Sequence, residues 1–325
     1  MAQRKVRARE GRTNQRWYRE FSPSVLYRTE GFVFVKEVTV LSASRKGTIC
    51  VFLAAVLYSI GGLCIKVIPW NGMSINGGRN LIALLVIGGY LALTRHRPKV
   101  SRGVLLGAVC ICGTNTLFTL ANKLTTAANA IVLQFTAPVF VMLLSAFLLR
   151  RRPKKQDIAV CAAVLLGVLL CFADNLEAGG ALGNALALCA GLAYAGVFLL
   201  NDLPGGDPIS SVFWGDVASA VIGLPFLVQE KTFTPIAVCS LVILGAFQVG
   251  LAYILLTEGL KTTPAVTASL ISGIEPVLNP ILVAVFYHET IGPAALAGAA
   301  IVLVSVVGYN MVNARQAHEK LGEEV

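Results

Sequence analysis

The chain has 325 residues, of which 56% are hydrophobic and only 14% are charged, and its mean hydropathy is +0.73. Soluble domains usually carry about 25% charged residues, so the composition excludes a soluble globular protein and indicates one that crosses a membrane several times. The formal net charge is +10, but the basic residues are concentrated in the N-terminal stretch and between apolar runs. This placement is typical of a membrane topology signal and does not predict nucleic-acid binding.

Residues 1–46 form a polar, basic stretch. It has no apolar core within its first thirty residues, so it lacks the pattern of a cleavable signal peptide. The segment Gly31–Leu41 has some strand-like alternation and is compatible with a position on the membrane surface. We expect a disordered cytoplasmic tail over residues 1–46 and assign it no function.

From Gly47 onward, the sequence is a series of apolar runs of about twenty residues, the length that spans roughly 30 Å of hydrocarbon as a helix. We therefore predict an all-α integral membrane protein with ten transmembrane helices. The predicted spans are 47–69, 74–94, 103–121, 126–149, 156–174, 180–201, 208–228, 236–258, 263–287 and 292–313.

The loops predict the orientation. The basic segments Arg95–Arg102 (RHRPKVSR) and Arg150–Lys155 (RRRPKK) fall on the same side as the N-terminal stretch if ten spans alternate in direction. The segment Asp174–Gly180 (DNLEAGG) falls on the other side and carries no Lys or Arg. Because the basic side is cytoplasmic, we predict a multi-pass protein of the cell (inner) membrane with both termini, including the tail 314–325, in the cytoplasm.

The sequence contains an internal repeat. A shift of 138 residues places Lys123–Val139 on Lys261–Val277, and a shift of 136 places Tyr58 of the first span on Tyr194 of the sixth. We therefore predict two copies of five spans each. An odd number of crossings inserts the second copy upside down relative to the first. Secondary transporters use such inverted repeats for alternating access, with the substrate near mid-membrane between the copies.

The predicted copies cover residues 47–174 and 180–313. The ninth span, in the second copy, has a carboxylate near its middle, Glu275, whereas the matching fourth span of the first copy has none. A charge at mid-bilayer costs roughly 3 kcal/mol or more, so Glu275 is expected to face protein or water. There it could exchange a proton or pair with a cationic group of a substrate. The alternative is a neutral, hydrogen-bonded Glu that locks helix packing. Its counterpart in the first copy is Ala137.

Pro138 and Pro276 occupy matching positions in the fourth and ninth spans and predict a break in each helix. An interior proline cannot donate a backbone hydrogen bond, so we expect one free carbonyl near mid-membrane in each copy, at Gln134 and Ser272. A solute, a water or a neighbouring hydroxyl would satisfy it. The alternative is a plain kink that shapes helix packing.

Further polar side chains lie inside the spans and are candidates for binding or coupling. They would give a cavity with hydrogen-bonding rims and aromatic walls, suited to a small amphipathic solute. Each is alternatively an interhelical hydrogen bond. These candidates are Tyr58, Asn115, Gln134, Tyr194, Gln248, Tyr253 and Ser272.

Four charged side chains lie towards the ends of spans. Lys66 and Arg79 are expected near the outer ends of the first two spans, where long cations usually extend to the lipid headgroups. Alternatively, they attract the carboxylate of a substrate. Asp216 and Glu258 are expected near the membrane interfaces as packing or gating residues.

Several residues spread over the predicted spans resemble the pattern of a known family. The ending EPVLNPILVAVFYHETI (Glu275–Ile291), the Pro-Val of the fourth and ninth spans, and Arg79 together resemble the EamA branch of the drug/metabolite transporter superfamily, over residues 47–313. Where that family commonly has Gly-Glu after the fourth span, this chain has Leu148–Lys155 (LLRRRPKK), and only Glu289 keeps the acidic end. The resemblance implies movement of a small organic solute across the cytoplasmic membrane, often efflux of amino acids, without a cofactor.

Other classes of function have less support in the sequence. All eight cysteines lie in apolar runs without metal-ligand partners, so we predict neither a metal site nor disulfides. No HExxH or GxSxG motif supports an intramembrane enzyme. A passive channel would require polar residues along a whole pore, whereas here they cluster at mid-depth. We predict a secondary transporter that exports a small organic metabolite such as an amino acid by alternating access, with proton coupling through Glu275. The alternatives are a passive channel or facilitator and an intramembrane enzyme.

Overall fold

The computed structural model describes residues 45–150, 152–171, 173, 180–202, 204–287 and 292–323. These residues contain helices and connecting turns but no β-strand. Eight of the helices are long and apolar enough to cross a membrane. The predicted all-α membrane fold is therefore confirmed. The expectations for residues 1–44, including the alternating segment at 31–41, lie outside the described residues.

The described part of the chain forms ten helices, numbered first to tenth in chain order. The fifth is only 17 residues long, the fourth and ninth are divided in two, a turn at residues 59–60 interrupts the first before Gly61–Val67, and the tenth extends beyond its predicted span. All other ends lie within a few residues of the prediction. The helices are Arg45–Val67, Gly72–Leu93, Arg102–Leu124, Ala127–Gln134 with Ala137–Leu148, Lys155–Cys171, Ala181–Phe198, Pro208–Leu227, Pro235–Leu260, Ala265–Ile271 with Ile274–Tyr287, and Pro293–Glu323.

Local sequence signals define where several helices begin. The Ser101 hydroxyl accepts a hydrogen bond from the Val104 N–H at 3.1 Å, and the Thr126 hydroxyl accepts one from the Asn129 N–H at 3.1 Å. Such caps satisfy N–H groups that have no partner within the first turn. Pro208 occupies the first turn of the seventh helix, where its missing N–H costs nothing. These signals keep the connections between spans short.

The helices pack in a pattern that repeats between the two halves of the chain. The second helix packs along the seventh, the fifth along the tenth, and the fourth contacts the ninth. The third helix packs against the sixth and seventh, and the eighth correspondingly packs against the first and second. Each of these contacts has a counterpart when the first five helices are exchanged with the last five.

Glycines allow the central helices to approach closely. A Cβ atom on Gly77 of the second helix would lie only 2.6 Å from the carbonyl carbon of Gly223 in the seventh. A Cβ atom on Gly167 of the fifth helix would lie 2.8 Å from the Gly298 carbonyl oxygen in the tenth. Backbones at this distance gain van der Waals contact that larger side chains would prevent. The two central helix pairs therefore form a tightly packed frame.

One of the two predicted free carbonyls has a hydrogen-bond donor, which corrects the sequence-based expectation for Ser272. The Gln134 carbonyl lies against the sixth helix, where a Cβ on Gly191 would be 2.7 Å from its oxygen. The Ser272 carbonyl accepts a hydrogen bond from the Glu275 N–H at 2.9 Å. Pro138 and Pro276 lie in the first turn of the second half-helices, a position that proline tolerates without strain. The carbonyl before the break of the ninth helix is therefore satisfied locally, whereas the Gln134 carbonyl packs against the backbone of the sixth helix.

Two faces of the helix bundle are used below. The basic face contains the loop 94–101 and the start of the first helix at Arg45. The opposite face contains the loops 68–71 and 125–126. The loops on each face contact other loops or helix ends of the same face. On the basic face, His96 bonds Asp207 at 2.7 Å, and on the opposite face, Trp70 donates to the Thr232 carbonyl at 2.7 Å.

Candidate functional site

A polar cavity lies about half-way along the helices. It contains about 340 Å³ of unoccupied space, but it is narrow, and the centre of a water-sized sphere can reach only about 20 Å³ of it. One water needs about 10–15 Å³ by that measure, so the cavity has room for only one or two waters in this conformation. Its lining residues are Tyr58, Arg79, Thr114, Asn115, Phe118, Gln134, Tyr194, Gln248, Val249, Tyr253 and Glu275.

The cavity brings together eight of the ten side chains that the sequence analysis selected for binding or coupling. Ser272 is not among the lining residues, because its hydroxyl donates to the Ala268 carbonyl of its own helix at 3.1 Å. Lys66 lies at the opposite face, with its ammonium 3.5 Å from the Thr125 carbonyl. Thr114 and Phe118 line the cavity on the same side of the third helix as Asn115 but were not predicted.

Arg79 is buried inside the protein, with an exposed fraction of 1%. Its Nη2 donates to the Asn115 carbonyl at 2.8 Å and its Nη1 to the Gln248 Oε1 at 3.3 Å, while its Nε has no partner. The expectation that Arg79 extends to the outer headgroups is therefore wrong. The second helix is enclosed by the seventh and eighth, and Gly245 of the eighth approaches the Arg79 backbone closely.

The eighth helix changes its winding beside Arg79. Residues Leu244–Leu251 form a π-helix, in which Gln248 lies between Arg79 and Gly61 of the first helix. A Cβ atom on Gly61 would lie 3.0 Å from the Gln248 Nε2, so a larger residue there would require this amide to shift by a few tenths of an ångström. π-Helical segments are rare and are frequent at functional sites. Here the π-helix brings an amide to the guanidinium.

Asp216 of the seventh helix is fully buried, with an exposed fraction of 0%, which corrects its expected position near an interface. Its Oδ1 accepts a hydrogen bond from the Asn115 Nδ2 at 3.0 Å, and its Oδ2 has no partner. Within the described residues, Asp216 and Arg79 do not form a direct ion pair. Asn115 connects them, since its carbonyl binds the guanidinium and its amide binds the carboxylate. The buried pair is thereby neutral overall.

Two further amides extend this network away from the cavity. Asn115 also donates to the Asn80 Oδ1 at 2.9 Å, and Asn80 donates to the Asn76 Oδ1 at 3.0 Å. Neither Asn76 nor Asn80 was predicted. The sequence signal was the segment INGGRN (Ile75–Asn80), which places three polar residues within two turns of an apolar span. The network fixes the second and third helices to the seventh.

Glu275 lies on the other side of the cavity, in the first turn of the second half of the ninth helix. Within the described part of the chain its carboxylate makes no hydrogen bond, which gives no support to a Glu that locks helix packing. It is close enough to Tyr58, Tyr194 and Tyr253 to interact with them electrostatically. The first turn of a helix carries a partial positive charge, which stabilises an ionised carboxylate.

Three tyrosines form the aromatic wall of the cavity. The rings of Tyr58 and Tyr194, which are repeat counterparts, lie 6.2 Å apart with an interplanar angle of 86°. The rings of Tyr58 and Tyr253 lie 5.6 Å apart at 73°. These edge-to-face contacts leave the Tyr58 hydroxyl buried without a partner, whereas the Tyr253 hydroxyl donates to the Asn115 Oδ1 at 3.3 Å. The wall is apolar in its centre and polar at its edge.

The helices around the cavity meet closely at both faces. At the basic face, a Cβ atom on Gly259 of the eighth helix would lie 2.8 Å from the Gly47 carbonyl oxygen of the first. At the opposite face, a Cβ on Gly183 of the sixth helix would lie 2.8 Å from the Thr125 backbone nitrogen. Gly47 and Gly183 begin corresponding helices of the two halves. The conformation is thus contracted at both ends.

Among the described residues, no three His, Cys, Asp or Glu side chains lie close enough together to hold a metal ion. The eight cysteines are all free thiols. The polar groups of the cavity are instead suited to hydrogen-bonding and pairing with a charged organic solute.

Comparison with known proteins identifies the family. The EamA-like transporter family matches this chain twice, over residues 45–173 and 181–311. The chain belongs to the EamA-like transporter family. The resemblance found in the sequence is therefore confirmed, and the protein is a multi-pass membrane protein of a family of transporters.

Relatives of this EamA-family protein are named as transporters. An uncharacterized transporter of Clostridium kluyveri is 24% identical over 294 residues, covering 82% of this chain and 94% of the relative. An uncharacterized inner membrane transporter, YicL, of Salmonella typhimurium is 24% identical over 302 residues, covering 85% and 99%. The threonine/homoserine exporter RhtA of Escherichia coli K12 is 26% identical over 237 residues, covering 70% and 76%.

A solved structure has the same fold as this EamA-family protein. Its superposition has a TM-score of 0.69 at 19% sequence identity and covers 82% of this chain and 97% of the other. At this identity the likeness concerns the fold alone.

Proposed function

We propose that this protein is a secondary transporter that exports a small zwitterionic metabolite, such as an amino acid, across the cell membrane by alternating access. In this proposal Arg79 binds the carboxylate of the solute, and Glu275 binds its ammonium group. Glu275 also exchanges a proton as the solute is released. Both termini are cytoplasmic, in agreement with the basic loops.

The observation that carries the proposal is the pair of opposite charges in one cavity. Arg79 contributes a buried guanidinium with a free Nε, and Glu275 contributes a carboxylate without a hydrogen-bond partner in the described residues. Asp216 compensates the charge of Arg79 only through Asn115. A zwitterion would supply a carboxylate to the first group and an ammonium to the second, and a buried unpaired charge is costly.

The walls of the cavity favour a short side chain. Tyr58 and Phe118 supply apolar surface, whereas Thr114, Gln134 and the Tyr58 hydroxyl offer hydrogen bonds. A small aliphatic or hydroxylated amino acid combines both features. The similarity to a protein named as a threonine/homoserine exporter supports the same class of solute.

Alternating access is supported by the two-fold pattern of helix contacts and by the contracted cavity. The space reachable by a water-sized sphere, about 20 Å³, is too small for an amino acid, so the helices must separate before a solute enters. Corresponding close contacts at the two faces, Gly47–Thr263 and Gly183–Thr125, are candidates for the parts that open in turn.

The test is counterflow of L-threonine and L-homoserine in proteoliposomes, at several pH values. We expect trans-acceleration by the parent protein, and at least a ten-fold loss in Glu275→Gln, because a hydrogen bond to a charged group contributes about 1.5–3 kcal/mol. Competition by an amino-acid methyl ester, which lacks the carboxylate, and by a 2-hydroxy acid, which lacks the ammonium, should be weak.

The matched control is Glu258→Gln. Glu258 lies at the basic end of the eighth helix, bonded to Tyr90 at 2.6 Å and to Lys261 at 2.5 Å, so its neutralisation should leave counterflow nearly unchanged. Equal transport by the parent and by Glu275→Gln at every pH would remove Glu275 from the mechanism. Equilibration of the solute without trans-acceleration would favour a passive facilitator.

A further inference from the structure

A second pocket lies at the basic face, between the second and seventh helices. It is an open groove with a volume of about 590 Å³. Gly88 and Leu91 of the second helix, Arg95 and Arg97 of the following loop, and Phe213 of the seventh helix form its walls. The pocket is separate from the central cavity and shares no residue with it.

The pocket has an excess of positive charge. Neither Arg95 nor Arg97 forms an ion pair with a carboxylate in the described part of the chain. The carboxylate of Asp207 is nearby but already engaged, because it bonds His96 at 2.7 Å and accepts from the Ser210 hydroxyl. Burial alone would raise the pKa of Asp207, but these two hydrogen bonds outweigh it and lower the pKa. Two guanidinium groups are thus left for an anion.

Hydrogen bonds hold the loop of the pocket against the seventh helix. The Lys99 N–H donates to the Ser210 hydroxyl at 2.9 Å, and the Trp214 indole donates to the Lys99 carbonyl at 3.0 Å. The Ser101 hydroxyl donates to the Gly205 carbonyl at 2.6 Å. Three such bonds hold the backbone of the loop in place, so less backbone entropy is lost when a ligand binds to it.

The inner part of the pocket is apolar and lies within the membrane span. Gly88 is five residues, or about 8 Å, inside the basic end of the second helix, and no atom lies within 4 Å of a Cβ built on it. On the same helix, Leu85 is 77% exposed and Leu93 is 87% exposed. The site therefore combines a cationic rim with an apolar surface at the depth of acyl chains.

We propose that this pocket binds an anionic phospholipid, with its phosphate between Arg95 and Arg97 and an acyl chain along Gly88 and Leu85. A basic pocket between transmembrane helices suits an anionic headgroup. The apolar wall distinguishes this occupant from a soluble phosphate, which would use only the rim. The bound lipid links the second and seventh helices, which carry Arg79 and Asp216.

Native mass spectrometry of the purified protein tests the proposal. The protein is incubated with phosphatidylglycerol or with phosphatidylcholine of the same acyl chains. We expect phosphatidylglycerol to be retained at higher activation energy and with higher occupancy. Arg95→Gln and Arg97→Gln should each weaken its binding about five-fold, the usual effect of one basic residue at a membrane surface. Gly88→Leu, which places a branched side chain on the inner wall of the pocket, should weaken the selective adduct by obstructing the acyl chain.

Two matched variants separate the pocket from general surface charge. Arg150 lies in another basic loop and, like Arg95, has a φ of 53°, so Arg150→Gln removes the same charge from the same backbone conformation. Gly89 has the same open surroundings as Gly88 but does not line the pocket, so Gly89→Leu should keep the lipid.

Three results would overturn the proposal. The first is equal retention of the two lipids. The second is an equal loss of phosphatidylglycerol in Arg150→Gln and in both pocket arginine variants. The third is a thermal stabilisation by inorganic phosphate as large as that by phosphatidylglycerol, which would assign the rim to a soluble anion. Gly88→Leu is interpreted only if it stays monodisperse, and Arg97→Gln tests the site independently of it.

Discussion

The fourth and ninth helices have the same interruption but present different chemistry to the cavity. The fourth helix stops at Gln134 and resumes at Ala137, and the ninth stops at Ile271 and resumes at Ile274. The fourth contributes the amide of Gln134 from the end of its first half. The ninth contributes the carboxylate of Glu275 from the start of its second half.

This difference places each group at the helix end that suits it. The last turn of a helix carries a partial negative charge and the first turn a partial positive charge, so a neutral amide fits the former and a carboxylate the latter. Ala137, the counterpart of Glu275, is buried and does not line the cavity. The shared break thus provides the architecture, and its unequal use gives the cavity a single acidic side.

The strongest test of this comparison moves the carboxylate from one half to the other. The double variant Gln134→Glu/Glu275→Gln keeps the size of both side chains and the charge of the cavity. We expect the amino-acid counterflow of this variant to stay at least ten-fold below that of the parent. The new carboxylate at residue 134 lies at the negative end of a half-helix and at a different position relative to Arg79.

The single variants Gln134→Glu and Glu275→Gln provide the controls for that exchange. Counterflow within about two-fold of the parent in the double variant, a difference of less than 1 kcal/mol, would mean that the cavity requires only a carboxylate and not its position. The difference between the fourth and ninth helices would then not matter for transport.

A second test concerns the backbone around the break of the fourth helix. A Cβ on Gly191 would lie 2.7 Å from the Gln134 carbonyl oxygen, whereas Ala55, its repeat counterpart, already carries a Cβ in a buried position. Gly191→Ala should therefore destabilise the protein by about 1–3 kcal/mol, as overpacking does. The apparent Tm in detergent measures this effect.

Gly89→Ala is the matched control for Gly191→Ala, because no atom lies within 4 Å of a Cβ on Gly89. Alanine is favoured over glycine inside a helix by about 0.5–1 kcal/mol, so its Tm should not fall. If both variants had the same Tm, close contact at the fourth helix would not contribute to stability.

The smallest expected effect concerns the loops of the first half that contact residues of the second half. The loop 94–101 is held by the His96–Asp207 contact of 2.7 Å, whereas on the opposite face the Asn71 N–H donates to Glu230 at 3.1 Å. The pKa of Asp207 is lowered from its ordinary value of 3.8, so its contribution is complete above that pH and is lost as the pH falls through the lowered pKa.

Asp207→Asn should therefore lower the apparent Tm by no more than about 2 °C at pH 7, because the pair is partly exposed to solvent. The difference from the parent should vanish in strongly acidic buffer. Glu230→Gln keeps an acceptor for Asn71 and should not change the Tm. A Tm difference for Asp207→Asn that is the same at every pH would exclude the charge as its cause.

Hydropathy, loop charge and the internal repeat predicted the membrane fold. The repeat drew attention to Tyr58 and Tyr194, and the cost of a charge at mid-bilayer drew attention to Glu275, before any geometry was known. They could not show which groups surround a given helix face. Arg79 was expected at the headgroups because its predicted span, 74–94, begins only five residues before it. In the fold, the seventh and eighth helices cover that side and supply its partners.

The same limit explains the errors at Asp216 and at the helix breaks. Distance from the end of a span suggested that Asp216 lies near an interface, but the third helix crosses beside it and Asn115 binds it. The proline rule correctly indicates a missing N–H donor. It does not indicate that the Glu275 N–H takes the Ser272 carbonyl instead, or that Gly191 brings the sixth helix against Gln134.

The sequence by itself determined the properties that depend on local composition and periodicity. These are the membrane environment, the approximate ends of the helices and the duplicated halves, because apolar length and prolines act within a single segment. Only the tertiary structure decided which polar side chains meet in the central cavity and that Arg95 and Arg97 line a pocket with Gly88. Those contacts depend on the rotation and close approach of helices far apart in the chain, which no single segment encodes.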